Sequence, residues 1–255
     1  MEYDSGRYHR HELLDGIGPD GVAKIRRGKA LVVGCGGLGS TVLPLLVAAG
    51  VGKLTFADED LVEESNLARQ IAYGEADVGR PKVEAMADRL RALNSEVRLV
   101  PVRRRLDERT LSTLIPGNDV VLDCTDNVGS RAAINEACCM YKVPLVFGAV
   151  AYFTGQLTLF NFKDPFSPCY ACLFPSAAKF DAAVSGSPSG PTAVWSPLVA
   201  MVGAMQANEA LRLLVGSKLN LEGKLRIFDL SRNTTVDYSV RKDKRCPVCS
   251  AFLRA

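Results

Sequence analysis

Histidine is nearly absent: His9 and His11 are the only two in 255 residues, and both lie close to the N-terminus. So few imidazoles leave no Ser-His-Asp triad and no histidine metal site to assemble, and a surface or helix role suits both residues. No Gly-Lys-Ser/Thr triplet occurs, so there is no Walker-type phosphate loop. Charge of one sign is not in excess either. The formal net charge of +3 is too small to argue for nucleic acid. The basic clusters Arg103-Arg104-Arg105 and Arg241-Lys242-Asp243-Lys244-Arg245 are short and flanked by acids, as solvated loops and helix ends are. The N-terminus is polar and lacks the apolar core of a signal peptide. Leu31 to Gly52 carries no charge and is long enough to suggest a membrane span. Its glycines, however, cluster between a β-branched run and an Ala/Leu run, which reads as strand, tight turn and buried helix. The expectation is a cytoplasmic protein that binds neither membrane nor nucleic acid.

What is present fits a soluble α/β chain of ordinary apolar, charged and aromatic content. A chain of this length buries roughly three quarters of its unfolded surface and needs no disulfide staples. Its eight cysteines divide into two groups. Cys35, Cys124, Cys138 and Cys139 sit in apolar segments, as core cysteines do. The other four form Cys169-Tyr-Ala-Cys172 and Cys246-Pro-Val-Cys249. Four thiolates in two such pairs suit tetrahedral Zn²⁺ with no open position, a structural site that pins the end of the chain to its middle.

The spacing of apolar residues predicts two short helices before residue 28, broken at Gly16-Ile17-Gly18-Pro19. Strands are expected at 29–34, 53–58, 97–103, 119–124 and 143–148. Helices are expected at 40–49, 81–93, 107–114 and about 130–141. This alternation argues for a doubly wound, mainly parallel Rossmann-like sheet covered on both faces. Residues 156–160 and 224–229 read as antiparallel additions in the C-terminal part, 177–192 as a mobile loop, and 195–214 as a helix. No internal repeat or interdomain linker is visible.

Gly34-Cys35-Gly36-Gly37-Leu38-Gly39 matches G-x-G-x-x-G between a strand and a helix. Its glycines permit a tight turn and close approach to a phosphate, and the helix N-terminus favours the anion. Asp58, ending the next strand, is placed to bond a ribose hydroxyl. Alone this fingerprint signals a nucleotide without saying which, and NAD or FAD would satisfy it. Downstream come Asp60, Asn66, Arg69 and Gln70, then Lys82 after Val78-Gly79-Arg80-Pro81, and Asp123-Cys124-Thr125-Asp126-Asn127 closing a strand. Hydride transfer has no need of so many phosphate-directed cations beside a strand-end Asp. Nucleotidyl transfer does, because Arg and Lys stabilise charge on the phosphates and leaving pyrophosphate while an Asp holds Mg²⁺.

As an ordered set these motifs resemble the ThiF/MoeB/HesA adenylyltransferases, bacterial relatives of the ubiquitin-activating enzymes. The resemblance is carried by Arg7-Tyr8-His9-Arg10, the glycine loop, Ser65-Asn66-Leu67-Ala68-Arg69-Gln70, Gly79-Arg80-Pro81-Lys82, Asp123 to Asn127 and the two cysteine pairs, over about residues 5–250. It implies an ATP site built from Gly34, Gly36, Gly37, Gly39, Asp58, Asp60, Asn66, Arg69, Gln70, Lys82, Asp126 and Asn127. Within that site Asp58 binds the ribose. Asn66, Arg69 and Lys82 contact the phosphates, Gln70 supports them, and Asp126 holds Mg²⁺. Arg10, Arg69, Lys82 and Asp126 are the implied catalytic set, with Arg10 reaching into the neighbouring subunit of a homodimer. Residues 1–28 would be a helical arm and 29–255 an adenylation domain. Its nucleotide-binding half would cover about 29–150, and its carrier-binding, zinc-holding half about 151–255. The implied substrate is the C-terminal carboxylate of a small ubiquitin-fold sulfur carrier ending in Gly-Gly, serving thiamine, molybdopterin or another sulfur-containing product. Two other readings stay open: an NAD-dependent oxidoreductase, and a non-catalytic binding module of the same fold.

The chain departs from the family pattern at one point. Many relatives carry a cysteine shortly before the helix that begins near Trp195-Ser196-Pro197-Leu198, and here Ser189 takes that position. No cysteine occurs between Cys172 and Cys246. Serine is a far poorer nucleophile than a thiolate without a partner base. The expectation is adenylation with no thioester on that loop and transfer of the acyl-adenylate to an external sulfur donor.

Overall fold

The structure is a computed structural model that describes residues 6–175 and 193–252. The loop expected at 177–192, with Ser189, lies outside the described residues. Two short helices come first, α1 (His9–Glu12) and α2 (Gly18–Arg27), as the spacing predicts. Then β1 (Lys29–Val33), α3 (Gly39–Ala48), β2 (Lys53–Ala57), α4 (Lys82–Leu93), β3 (Arg98–Val102), α5 (Glu108–Leu114), β4 (Val120–Asp123), α6 (Val128–Tyr141) and β5 (Leu145–Ala151) alternate. Beyond them lie β6 (Thr154–Phe160), α7 (Tyr170–Leu173), α8 (Ser196–Val215), β7 (Lys224–Asp229), β8 (Thr234–Ser239) and α9 (Cys249–Phe252).

All eight strands form one sheet in the order β3-β2-β1-β4-β5-β6-β7-β8. The first five pair in parallel and the last three add antiparallel, so the mainly parallel sheet with antiparallel additions is what the structure holds. Alternation along the strands sends residues to two cores. Ala30, Val32, Val120, Leu122, Val146, Leu157 and Leu159 pack with residues of α3, α4 and α8 on one face. Leu31, Val33, Val121, Leu145, Phe147 and Phe160 pack with α5, α6 and the cysteine segments on the other. Full burial of one such Val, Leu or Phe contributes roughly 1.5–3 kcal/mol, which holds both helix layers to the sheet.

By length and composition α8 is apolar enough to cross a membrane, but it lies across the sheet and turns polar side chains inward. Buried Gln206 donates from Nε2 to the Asp123 carbonyl at 2.8 Å, and a Cβ on Gly148 would collide with it. The strand end that precedes Asp126 is thereby fixed from below. The strand β8 was not foreseen. The chain returns through Asn233 in the left-handed region, and every residue from Thr234 to Ser239 is exposed, so no buried face marks it in the sequence.

Candidate active site

The strand order reverses between β1 and β4, and ligands of open α/β sheets bind at the carboxyl ends flanking such a point. Gly34 follows β1 with φ +97°, a conformation that L side chains rarely adopt, and a Cβ there would stand 2.7 Å from the Cys124 carbonyl. The glycine loop thus runs against the end of β4. A Cβ on Gly39, at the start of α3, would collide with the Gly34 carbonyl, so the helix begins as close to the strand as backbone permits. A Cβ on Gly36 would meet only Gln70 Nε2, at 3.6 Å. The loop therefore offers accessible backbone beside a helix N-terminus, an environment that favours an anion.

Most of the residues expected at the site come together around this loop. Asp58 accepts the Cys35 N–H through Oδ2 at 2.7 Å and the Asp60 N–H through Oδ1 at 2.9 Å. Buried Lys82 donates to Asp60 Oδ2 at 2.9 Å, and its own N–H bonds the Asp60 carbonyl at 2.9 Å. Asn66 and Gln70 are both buried. The Asn66 carbonyl receives the N–H groups of Arg69 at 3.0 Å and Gln70 at 2.9 Å, which fixes this turn. Gln70 Oε1 is buried without a hydrogen-bond partner among the described residues. Half-buried Arg69 is tethered by Nη1 to the Ser65 carbonyl at 3.0 Å. Asp126 and Asn127 lie exposed on the turn between β4 and α6, and Asn127 Oδ1 caps that helix by accepting the Ser130 N–H at 2.8 Å. Arg10 is not brought to the others. It stands exposed on α1 and makes no hydrogen bond or ion pair to them.

Two participants were missed in the sequence. Buried Tyr73 donates to the Cys35 carbonyl at 2.8 Å and lies 3.4 Å from the Lys82 carbonyl, tying the glycine loop to the start of α4. Burial pushes its hydroxyl well above the usual phenol range, so it stays a donor. Its only signal was a lone aromatic three residues after Gln70. Arg131, one turn into α6, bonds the Thr125 carbonyl at 3.0 Å, a contact to backbone that no residue pattern announces.

Burial pushes the Asp58 carboxyl above its ordinary range, against the pull of Lys82 and of the two backbone donors. A carboxyl raised in the folded state contributes stability below its unfolded pKa and loses it as pH rises through the folded value. At neutral pH its ionised form is therefore a cost, of the kind retained where function needs the charge. The melting-temperature difference between the parent protein and Asp58→Asn is expected to move in the parent's favour as pH falls from 7 through the carboxylate range. Paired melting curves across that range check this, and a shift in the variant's favour contradicts it.

Away from this site the four pair-forming cysteines converge. Cys169 and Cys246 sulfurs are 3.6 Å apart, Cys172 and Cys249 are 3.5 Å apart, and Cys169 and Cys172 are 3.9 Å apart. All four sulfurs lie within 4.8 Å of one another. Tetrahedral Zn²⁺ with bonds of about 2.3 Å implies sulfur separations of about 3.8 Å, so the cluster fits zinc. Cys35, Cys124, Cys138 and Cys139 are buried. Burial pushes the thiols of Cys35, Cys124 and Cys138 up, and the contact with Cys169 does so for Cys139, which leaves none of the four activated as a nucleophile.

A statistical model of the ThiF family matches residues 8–248. The chain belongs to the ThiF family. Among ThiF-related proteins, the sulfur carrier protein adenylyltransferase of Thermus thermophilus is 40% identical over 246 residues, covering 95% of this chain and 90% of that protein. The molybdopterin-synthase adenylyltransferase of Escherichia coli is 39% identical over 243 residues and 95% of each chain. The crystal structure of E. coli MccB with ATP superposes with a TM-score of 0.84 at 21% identity, over 97% of this chain and 75% of that one, a likeness of fold. ThiF membership sets aside the oxidoreductase that the glycine loop and Asp58 alone would have allowed.

Proposed function

We propose that this chain uses ATP to adenylate the C-terminal glycine carboxylate of a small ubiquitin-fold sulfur carrier ending in Gly-Gly. The observation that carries the reading is the identity of about 40% over 95% of the chain with a sulfur carrier protein adenylyltransferase. The assembly of Asp58, Asp60 and Lys82 around the glycine loop, with Asp126 at the end of the neighbouring strand β4, supports it.

In this reading the backbone of Gly34, Gly36, Gly37 and Gly39 receives the phosphates, and Asp58 holds the ribose. Asn66, Arg69 and Lys82 take the phosphate charge, with Gln70 supporting them and Asn127 lining the turn. Before ATP arrives, Asp60 holds the Lys82 ammonium in place at 2.9 Å. Asp126 would hold Mg²⁺, which usually binds through one or two carboxylates plus substrate phosphates and neutralises developing charge there. A carboxylate oxygen of the carrier attacks the α-phosphorus, the bond to the β-phosphate oxygen breaks, and pyrophosphate leaves. Arg10 of a second copy completes the site in a homodimer, which accounts for its exposure in the single chain. Residues 1–28 serve as the exchanged arm, about 29–150 as the nucleotide half, and about 151–255 as the carrier-binding half, braced by structural Zn²⁺.

Because no cysteine falls between Cys172 and Cys246, the acyl-adenylate passes to an external sulfur donor. A sulfur nucleophile from that donor attacks the acyl carbon and expels AMP, leaving the sulfur on the carrier for thiamine, molybdopterin or a related synthesis in the cytoplasm. Intact-mass measurement of a Gly-Gly carrier incubated with the chain, ATP and Mg²⁺ tests this. An AMP adduct on the terminal glycine is expected. A carrier of unchanged mass, with ATP bound but not consumed, contradicts it.

A further inference from the structure

Asp126 lies on an exposed turn, yet a carboxylate that holds a cation must be placed to within about half an ångström. Its neighbours in sequence supply that placement. Thr125 is held through all three of its polar groups. Its N–H and Oγ1 donate to Asp123 Oδ1 at 2.9 and 2.6 Å, and its carbonyl accepts from Arg131 Nη2 at 3.0 Å. On the other side Asn127 is committed to capping α6. The Arg131 guanidinium is fixed in turn, standing 5.5 Å over the Phe147 ring. That ring packs against Tyr170 at 5.2 Å and Phe174 at 6.2 Å, and those two lie 4.9 Å from each other. Tyr170 directly follows Cys169 of the thiolate cluster, and its N–H donates to buried Asn135 Oδ1 on α6 at 2.9 Å. A continuous path of packed groups therefore joins the cysteine cluster to the turn that carries Asp126.

We propose that Arg131 is a positioning residue for Asp126. Seated on the aromatic platform that Phe147 shares with the cysteine segment, it fixes the Thr125 carbonyl and so the turn that presents the Asp126 carboxylate. The proposal rests on the reading that Asp126 holds the nucleotide's cation. Outer partners of this kind change metal affinity by about 10–100-fold when removed, and an arginine that only supports the fold would change melting temperature alone.

The test uses the full, zinc-replete chain with Mn²⁺ as the probe. Mn²⁺ binding to the complex with a non-hydrolysable ATP analogue is measured by electron paramagnetic resonance, beside the Mg²⁺ dependence of pyrophosphate exchange. Arg131→Ala is expected to weaken Mn²⁺ binding and raise the half-saturating Mg²⁺ by about tenfold, with metal-free affinity for the analogue changed by less than about twofold. Arg131→Lys, which can still donate to the carbonyl, is expected to recover part of the loss. If Arg131→Ala does not fold, Phe147→Leu keeps an apolar side chain while removing the ring under the guanidinium, and should weaken Mn²⁺ by about threefold. A folded variant of either kind that binds Mn²⁺ like the parent overturns the proposal. The Asp126→Ala control separates the two failures. If it binds Mn²⁺ normally, the reading of Asp126 falls and this proposal with it. If it loses Mn²⁺ while Arg131→Ala keeps it, only the positioning role falls.

Discussion

Asp126→Ala is expected to lower carrier-dependent ATP–pyrophosphate exchange by about 10³-fold or more, equivalent to about 4 kcal/mol of transition-state stabilisation. The size follows from what the carboxylate is proposed to hold. Nucleotidyl transfer moves negative charge onto the leaving pyrophosphate, and a bound divalent cation stabilises such charge by several kcal/mol. Loss of the only carboxylate assigned to that cation should appear mainly in the rate, with far less effect on the affinity for ATP measured without metal. Because the side chain is exposed, removing it should leave the melting temperature within about 2 °C of the parent, as surface substitutions do. Steady-state exchange over a range of Mg²⁺ concentrations, beside a melting curve, checks both halves. A folded variant that retains more than a tenth of parental exchange would contradict the assignment.

The second large effect is expected at the cysteine cluster. Cys169 and Cys246 are separated by 77 residues in the chain, so a metal bridging the pairs closes a long loop and ties the C-terminal segment to α6 and α7. Structural zinc sites contribute folding energy outright, because their ligands come together only in the folded chain. Cys246→Ser is expected to reduce bound zinc from one per chain to a small fraction. It should also cost about 4 kcal/mol or more of stability, lowering the melting temperature by about 10 °C or more. Metal content by atomic emission and thermal melts with and without a strong chelator would show it. A variant that is zinc-free and as stable as the parent would mean that the cluster is four core thiols and nothing more.

How far the sequence could be read depended on how each residue acts. β1, β2 and β4 were legible because each is mostly apolar, is buried throughout after any leading lysine, and is closed by Gly34, Asp58 and Cys124 respectively. Helix starts were displaced where a capping residue stands just outside the helix. Asp107 accepts the Thr110 N–H ahead of α5, and Asn127 caps α6, which starts at Val128, two residues before the expected position. At the end of α6, Lys142 adopts φ 53°, which delays β5 to Leu145. β8 escaped notice because nothing in it is buried. The same division holds at the site. Residues proposed to meet a ligand through their own charge, such as Asp58 and Lys82, stand out in an ordered motif, and the structure links them through Asp60. Residues that act by holding a backbone carbonyl, such as Tyr73 and Arg131, carry no such mark, because the group they serve has no identity in the sequence. Arg10 falls between these cases. Its motif is legible, but one copy of the chain gives it no partner at the site.

The most direct test of the account is ATP–pyrophosphate exchange by the purified chain with Mg²⁺, with and without a small ubiquitin-fold carrier ending in Gly-Gly. Exchange is expected to require the carrier, to vanish when the terminal glycine is removed, and to be absent in Asp126→Ala. Exchange at the same rate without any carrier, or none with any carrier despite measurable ATP binding, would contradict it.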